Sequence, residues 1–141
     1  MFGSDRGYRI YEIKERVEMG WFIEASKKYA VFSGRSRRKE YWYFTLFYIF
    51  ITIALAIVDS ALGTWAPSVG IGLLSGIFGL ALLLPSIAVT VRRLHDTDRT
   101  GWWYLISFIP IIGPLVLLVF VVMDSTPGSN RYGSNPKTAM A

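Results

Sequence analysis

Residues 41–58 read YWYFTLFYIFITIALAIV, a run without a single charge between Glu40 and Asp59. A hydrocarbon core about 30 Å thick is crossed by about 20 apolar residues in a helix, so this run is long enough to span a bilayer. A buried helix of a soluble protein would carry a polar stripe at helical spacing, and this one carries none. Two more uncharged stretches follow. One lies within residues 60–91, with a polar entry (Gly63, Thr64, Pro67, Ser68) and a dense apolar part over 69–91; the other covers 101–123. The reading is an all-α integral membrane protein with two full transmembrane helices, 41–58 and 69–91, and a third, proline-broken apolar segment.

Composition agrees with that class. The chain has 141 residues, one domain's worth, of which 52% are hydrophobic, and its mean hydropathy of +0.39 is high for a soluble domain. A net charge of +5 suits either nucleic acid or anionic lipid. Long uncharged runs between the basic clusters favour lipid, and no nucleic-acid partner is expected. With no cysteine, disulfide frameworks, thiolate zinc sites and cysteine nucleophiles are excluded. No signal peptide is visible, because the first long apolar run follows some forty mostly polar residues.

Lysine and arginine set the orientation. Lys27, Lys28, Arg35, Arg37, Arg38 and Lys39 precede the first span, and Arg92, Arg93 and Arg99 follow the second, whereas the loop around 59–67 has none. The N-terminal segment and residues 92–99 therefore face the cytoplasm. Trp42, Trp102 and Trp103 stand where chains enter the bilayer, as amphipathic rings do.

The third stretch is interrupted by Pro110-Ile111-Ile112-Gly113-Pro114, a dense set of helix breakers. Two arrangements are open. A kinked span would put the tail outside; a re-entrant hairpin would return it to the cytoplasm, with its backbone covered by protein. Ahead of the spans, residues 19–32 read MGWFIEASKKYAVF, with Trp21, Phe22, Ala25, Tyr29 and Phe32 at helical spacing. That pattern fits a helix lying in the interface, or equally one packed on the spans. Ser33-Gly34 is expected to end it. Residues 1–18 lack a sustained apolar stripe; Lys14-Glu15 can be encoded as a ribosome-binding sequence three codons before Met19, so we expect an upstream extension. The membrane domain then covers 19–136, with a polar tail motif over 124–136 and a C-terminal end over 137–141.

The densest chemistry lies at 92–103, RRLHDTDRTGWW, which holds the chain's one histidine. His95 beside Asp96 resembles a base with an orienting carboxylate, but adjacent residues on a helix do not face each other, and no nucleophile has a partner. A metal held by His95, Asp96 and Asp98 would sit among three arginines that oppose it. No catalytic residue, metal or cofactor is expected. Anion binding is a second reading: these arginines and Arg35, Arg37 and Arg38 form a basic surface suited to anionic headgroups. The structural reading fits best. Arginine forks carboxylates in paired hydrogen bonds, so Arg35, Arg37, Arg38 and Glu40 are expected to form a charge clamp with Arg92, Arg93, Asp96, Asp98 and Arg99, His95 lying within it. Asp98 or Thr100 is expected to cap the helix that starts near Gly101.

Gly72, Ser75, Gly76 and Gly79 make a small-residue face suited to close helix packing, within the chain or between copies in a homo-oligomer. No ionisable residue lies mid-span to relay protons or ions.

Four motifs in order, GRSRRKEYWYF (34–44), RRLHDTDRTGWW (92–103), the proline–glycine break and GSNRYGSNP (128–136), resemble the bacterial membrane family called domain of unknown function 805. Asn130, Arg131, Tyr132 and Gly133 are its tail motif here. Departures are Asp98 and Thr100, where the family often has Gly and Ser, and Ser134, where its tail has Pro. The resemblance implies a multi-pass inner-membrane protein and no particular activity. We expect a structural or interaction protein whose basic cytoplasmic face meets anionic lipid or a partner; the alternatives are an oligomeric small-solute transporter and, third, a lipid-acting enzyme.

Overall fold

The computed structural model describes residues 27–138 together with Arg9, Gly20 and Ile23. Most of 1–18 and of the expected interfacial helix at 19–32 lies outside the described residues. What is described of that helix ends earlier than expected: Lys27 is helical and Lys28–Ala30 form a turn, closed by the Val31 N–H on the Lys28 carbonyl at 3.2 Å. Tyr29, Val31 and Phe32 are exposed, so packing does not sustain another helical turn there.

Helix α1, Arg38–Leu62, has 25 residues and a mean hydropathy of 2.1 over its most apolar window. It rises about 37 Å, enough to cross a membrane.

The second stretch departs from a single span over 69–91. Two short strands, β1 (Trp65–Ala66) and β2 (Ile71–Gly72), pair antiparallel with Trp65 opposite Gly72. Residues 69–72 therefore belong to a ribbon, and helix starts only at Leu73. Helix α2, Leu73–Ala81, and helix α3, Leu83–Asp96, meet at a 45° bend. Pro85 explains the bend: it lacks the N–H that would reach the Ala81 carbonyl, and its ring crowds that turn. Helix α3 runs past residue 91 because Arg92, Arg93, Leu94 and Asp96 are buried and held.

The third stretch reverses direction. A 3-10 helix, Gly101–Phe108, is followed by a turn and by helix α4, Ile112–Val122. At the turn Ile111 has φ +67° and the Ile112 N–H reaches the Pro110 carbonyl at 2.8 Å, a γ-turn strained for a β-branched residue. The arms then pack on each other. A Cβ on Gly113 would lie 1.7 Å from the Ile106 carbonyl oxygen, so glycine is needed for that approach, and Trp103 meets Phe120 edge to face at 5.4 Å. The expected side-chain cap is not made: the 3-10 helix starts after Thr100 with no side-chain cap hydrogen bond, and Asp98, at φ +59°, accepts from Arg131 instead.

Burial is inverted relative to a water-soluble domain. Among the described residues the largest fully buried side chains are Arg92 and Arg93. Phe50, Ile57, Leu80, Phe108 and Ile111 are 66%, 65%, 73%, 76% and 79% exposed. The apolar core proper is small: Phe44 on Val89, with Tyr41 against them.

Candidate functional site

Asp96, the last residue of α3, is the hub. Its Oδ1 accepts from Arg35 Nε at 2.9 Å, and its Oδ2 accepts from Arg93 and from Ser125 Oγ. Its backbone carbonyl takes the Thr126 N–H at 3.0 Å. Each partner comes from a different part of the chain: the loop before α1, the preceding turn of α3, and the segment after α4.

Arg35 spends all its nitrogens. Besides Asp96, Nη1 donates to the Gly128 carbonyl at 2.8 Å and Nη2 to the Thr126 carbonyl at 2.8 Å. Arg93 donates from Nε to the Val121 carbonyl at 3.1 Å and from Nη2 to the Met123 carbonyl. It thereby satisfies carbonyls that the end of α4 would otherwise leave open. Arg92 pairs with Glu40 at 2.7 Å, while its Nε and Nη2, together with Ser36 Oγ, are buried without a hydrogen-bond partner. Three guanidinium groups and two carboxylates thus fill the space where α1, α3 and α4 converge. Such charges are costly to bury unless paired, and costlier to leave unpaired.

The polar tail lies across this centre as a strap. Asn130 and Gly133 exchange backbone hydrogen bonds at 3.0 and 3.1 Å, and Asn130 Nδ2 donates to the His95 carbonyl at 2.9 Å. Tyr132 stacks on His95, with ring centroids 3.8 Å apart and planes at 2°. His95 Nδ1 is 3.0 Å from the Gly34 carbonyl; a carbonyl only accepts, so the proton sits on Nδ1. Further out, Arg131 meets Asp98 at 3.2 Å on the surface. Lys137 donates to Asp124, which with the Ser125 N–H holds that carboxyl below the ordinary range.

The other residues singled out from the sequence fall in three places. Among the described residues Arg99 makes no acid pair; its guanidinium lies 4.2 Å over the Phe120 ring and its Nη1 donates to the Thr97 carbonyl. Arg37 is half-buried ahead of α1, and Arg38 is exposed with Asp124 at 4.0 Å. Trp42 and Trp102 are exposed at 38% and 77%, and Trp103 at 45%. His95, Asp96 and Asp98 are turned to separate partners, the Gly34 carbonyl, Arg35 with Arg93, and Arg131.

A second polar node was not read from the sequence. Asp59, fully buried near the end of α1, accepts from the Leu74 and Ser75 N–H groups at 2.9 Å each, from Ser75 Oγ at 2.9 Å and from Thr64 Oγ1 at 2.7 Å. It caps the first turn of α2 from a neighbouring helix, where N–H groups have no partner of their own. A Cβ on Gly72 would lie 2.0 Å from Asp59 Oδ2. Gly72 and Ser75 are therefore occupied within the chain. Gly76 and Gly79 line a groove of about 610 Å³ with Tyr48, Thr52, Trp65 and Leu83. The signal that could have found Asp59 is its isolation, one acid between two apolar runs.

A mainly helical chain with an apolar exterior, an apolar helix long enough to cross a membrane and a buried charged centre defines a membrane protein. The chain belongs to the family described as protein of unknown function (DUF805), whose model matches residues 29–134. It is 48% identical to inner membrane protein YhaH of Escherichia coli (strain K12) over 84% of this chain and 98% of that protein. Inner membrane protein YhaI of the same organism is also 48% identical, over 84% of this chain and 97% of YhaI. No solved structure matches the chain.

Proposed function

We propose that this is a multi-pass protein of the bacterial inner membrane with a structural or interaction role, its basic cytoplasmic end held against anionic lipid headgroups. In this reading α1 crosses the bilayer and the bent α2–α3 pair returns. Residues 101–122 form a re-entrant hairpin, so that the strap and the N-terminal loop share the cytoplasmic side. The names of YhaH and YhaI support the inner membrane. One observation carries the role: the buried charges are engaged in holding elements together, while Arg38 and Lys39 remain exposed at the same end. Juxtamembrane lysines and arginines attract anionic lipid.

The test is native mass spectrometry of the purified protein with phosphatidylglycerol or phosphatidylcholine added. Wild type should retain phosphatidylglycerol preferentially, and the triple variant Arg37→Glu, Arg38→Glu, Lys39→Glu should lose that preference. Equal retention by both proteins would overturn the headgroup reading.

A small-solute transporter built from several copies has one feature in its favour, the groove along α1 and α2 with the Tyr48 and Thr52 hydroxyls in it. Thr52 Oγ1 already donates to the Tyr48 carbonyl at 2.7 Å, which leaves little polar lining for a solute. A lipid-acting enzyme ranks third, because His95 has Nδ1 committed to Gly34 and a ring face committed to Tyr132.

A further inference from the structure

We propose that the molecule is a wedge that favours membranes curved with the cytoplasmic leaflet outermost. This rests on the membrane reading above. Neither arm of the hairpin can cross a bilayer: the eight residues of the 3-10 helix and the eleven of α4 each rise roughly 16 Å, about half of a hydrocarbon core. Their starting level is set by contact. A Cβ on Gly101 would lie 2.7 Å from Val91 Cγ1, so the arms begin beside Val91. From Val91 back to the bend at Leu82 is about 13 Å of helix. The tip therefore ends near the bend, close to the middle of the bundle.

The tip is apolar on every side. Phe108, Ile109, Ile111 and Ile112 are 76%, 51%, 79% and 64% exposed. Acyl chains are the solvent such a surface requires. At the base, exposed Trp102 marks the headgroup level.

The consequence is an unequal cross-section. Among the described residues, four rods lie toward the cytoplasmic end, namely the first half of α1, α3, the 3-10 helix and α4. Toward the other end, among the described residues, lie the second half of α1, α2 and the small β1–β2 ribbon. Each rod is about 10 Å across, so two extra rods, offset in part by the ribbon, expand the cytoplasmic leaflet by roughly 100–200 Å² per molecule. A leaflet expanded on one side relaxes by bending, and amphipathic insertions that occupy one leaflet sense curvature for this reason.

The test uses the full chain with an exposed label position, Ser134→Cys, since the chain has no cysteine of its own. It is reconstituted into phosphatidylethanolamine/phosphatidylglycerol vesicles of about 200 nm and about 30 nm diameter, a range over which one-leaflet insertions respond to curvature. An impermeant thiol reagent then reports the fraction with the cytoplasmic end outward. We expect a severalfold excess outward in the small vesicles and a roughly even split in the large ones. A separate variant, Ile111→Cys with an attached fluorophore, is quenched by lipids carrying a quencher at known depth. The same orientation ratio in both vesicle sizes, with the fluorophore at mid-bilayer, overturns the wedge alone. A fluorophore at headgroup depth overturns the re-entrant reading and the wedge with it.

Discussion

Arg35 Nε donates to Asp96 Oδ1 across 2.9 Å, and the two side chains are 1% and 0% exposed. The contact joins the loop ahead of α1 to the last residue of α3, and through Ser125 and Thr126 the same carboxylate and carbonyl hold the chain after α4. One residue thus ties together the loop before α1, the end of α3 and the segment after α4. In a bundle whose outside is as apolar as its surroundings, helix association has little hydrophobic drive, and polar contacts take a larger share of holding it together.

Asp96→Asn is therefore expected to lower stability severely. It removes the charge that balances Arg35 and Arg93 while leaving both buried, and breaking a buried pair in this way costs about 3–5 kcal/mol. Thermal melting in mild detergent measures it. A melting temperature equal to wild type would show that Asp96 is not the hub.

Arg92 and Glu40 should behave as a coupled pair. Arg92→Met strands a buried carboxylate, and Glu40→Leu strands a guanidinium that already has two unpartnered nitrogens. The double variant removes both charges and should lose less stability than the larger single loss, since an apolar replacement of a buried pair is often neutral. Additive losses in the double-mutant cycle would contradict the coupling.

At the opposite end, Asp59→Ala leaves the Leu74 and Ser75 N–H groups and the Ser75 hydroxyl without their carboxylate acceptor, and Gly72→Ala drives a Cβ into the same carboxylate. Each should lower the melting temperature, and combining them should add little, because both disable one cap. Full additivity would mean the two residues act separately.

The sidedness of the hairpin is open to direct labelling. Cysteines placed singly at the exposed positions Ser33, Ser68 and Ser134 and treated with an impermeant reagent should divide as two against one. Ser33→Cys and Ser134→Cys should react from the cytoplasmic side and Ser68→Cys from the other. Reaction of Ser134→Cys with Ser68→Cys would make the third segment a complete crossing.

For the strap, His95→Ala removes the stack on Tyr132 and the bond to Gly34, whereas His95→Phe keeps a ring for Tyr132. Limited proteolysis within 126–136 should be fastest in His95→Ala and intermediate in His95→Phe. Equal rates in all three proteins would remove His95 from the strap's support.

Much of this was legible in the residues. The uncharged run at 41–58 announces a spanning helix because length and apolarity alone decide that fit, and the helix of 38–62 contains it. The proline–glycine cluster at 110–114 marked a break for the equally local reason that proline cannot continue the hydrogen-bond ladder. It did not say whether the chain would kink or return. The approach of Gly113 to Ile106 and the grip of Arg93 on the last carbonyls of α4 bring it back. Likewise Pro85 was visible, but without knowing that Ala81 ends one helix its 45° bend could not be assigned.

The charged residues divide along the same line. Their types and positions, arginines at one end with Asp96 and Glu40 among them, are properties of the sequence. Which arginine meets which acid is not, because Arg35 and Asp96 stand 61 residues apart and their meeting depends on the path of everything between. Arg99 turned to an aromatic ring, Asp98 turned to the tail, and Asp59 found backbone N–H groups 15 and 16 residues further along the chain. Sequence alone thus determined the environment the chain is built for, since that follows from hydropathy and charge summed along short windows. The tertiary structure decided the pairing, the reversal and the strap, since each of these is a distance between residues that only the folded chain brings within hydrogen-bonding reach.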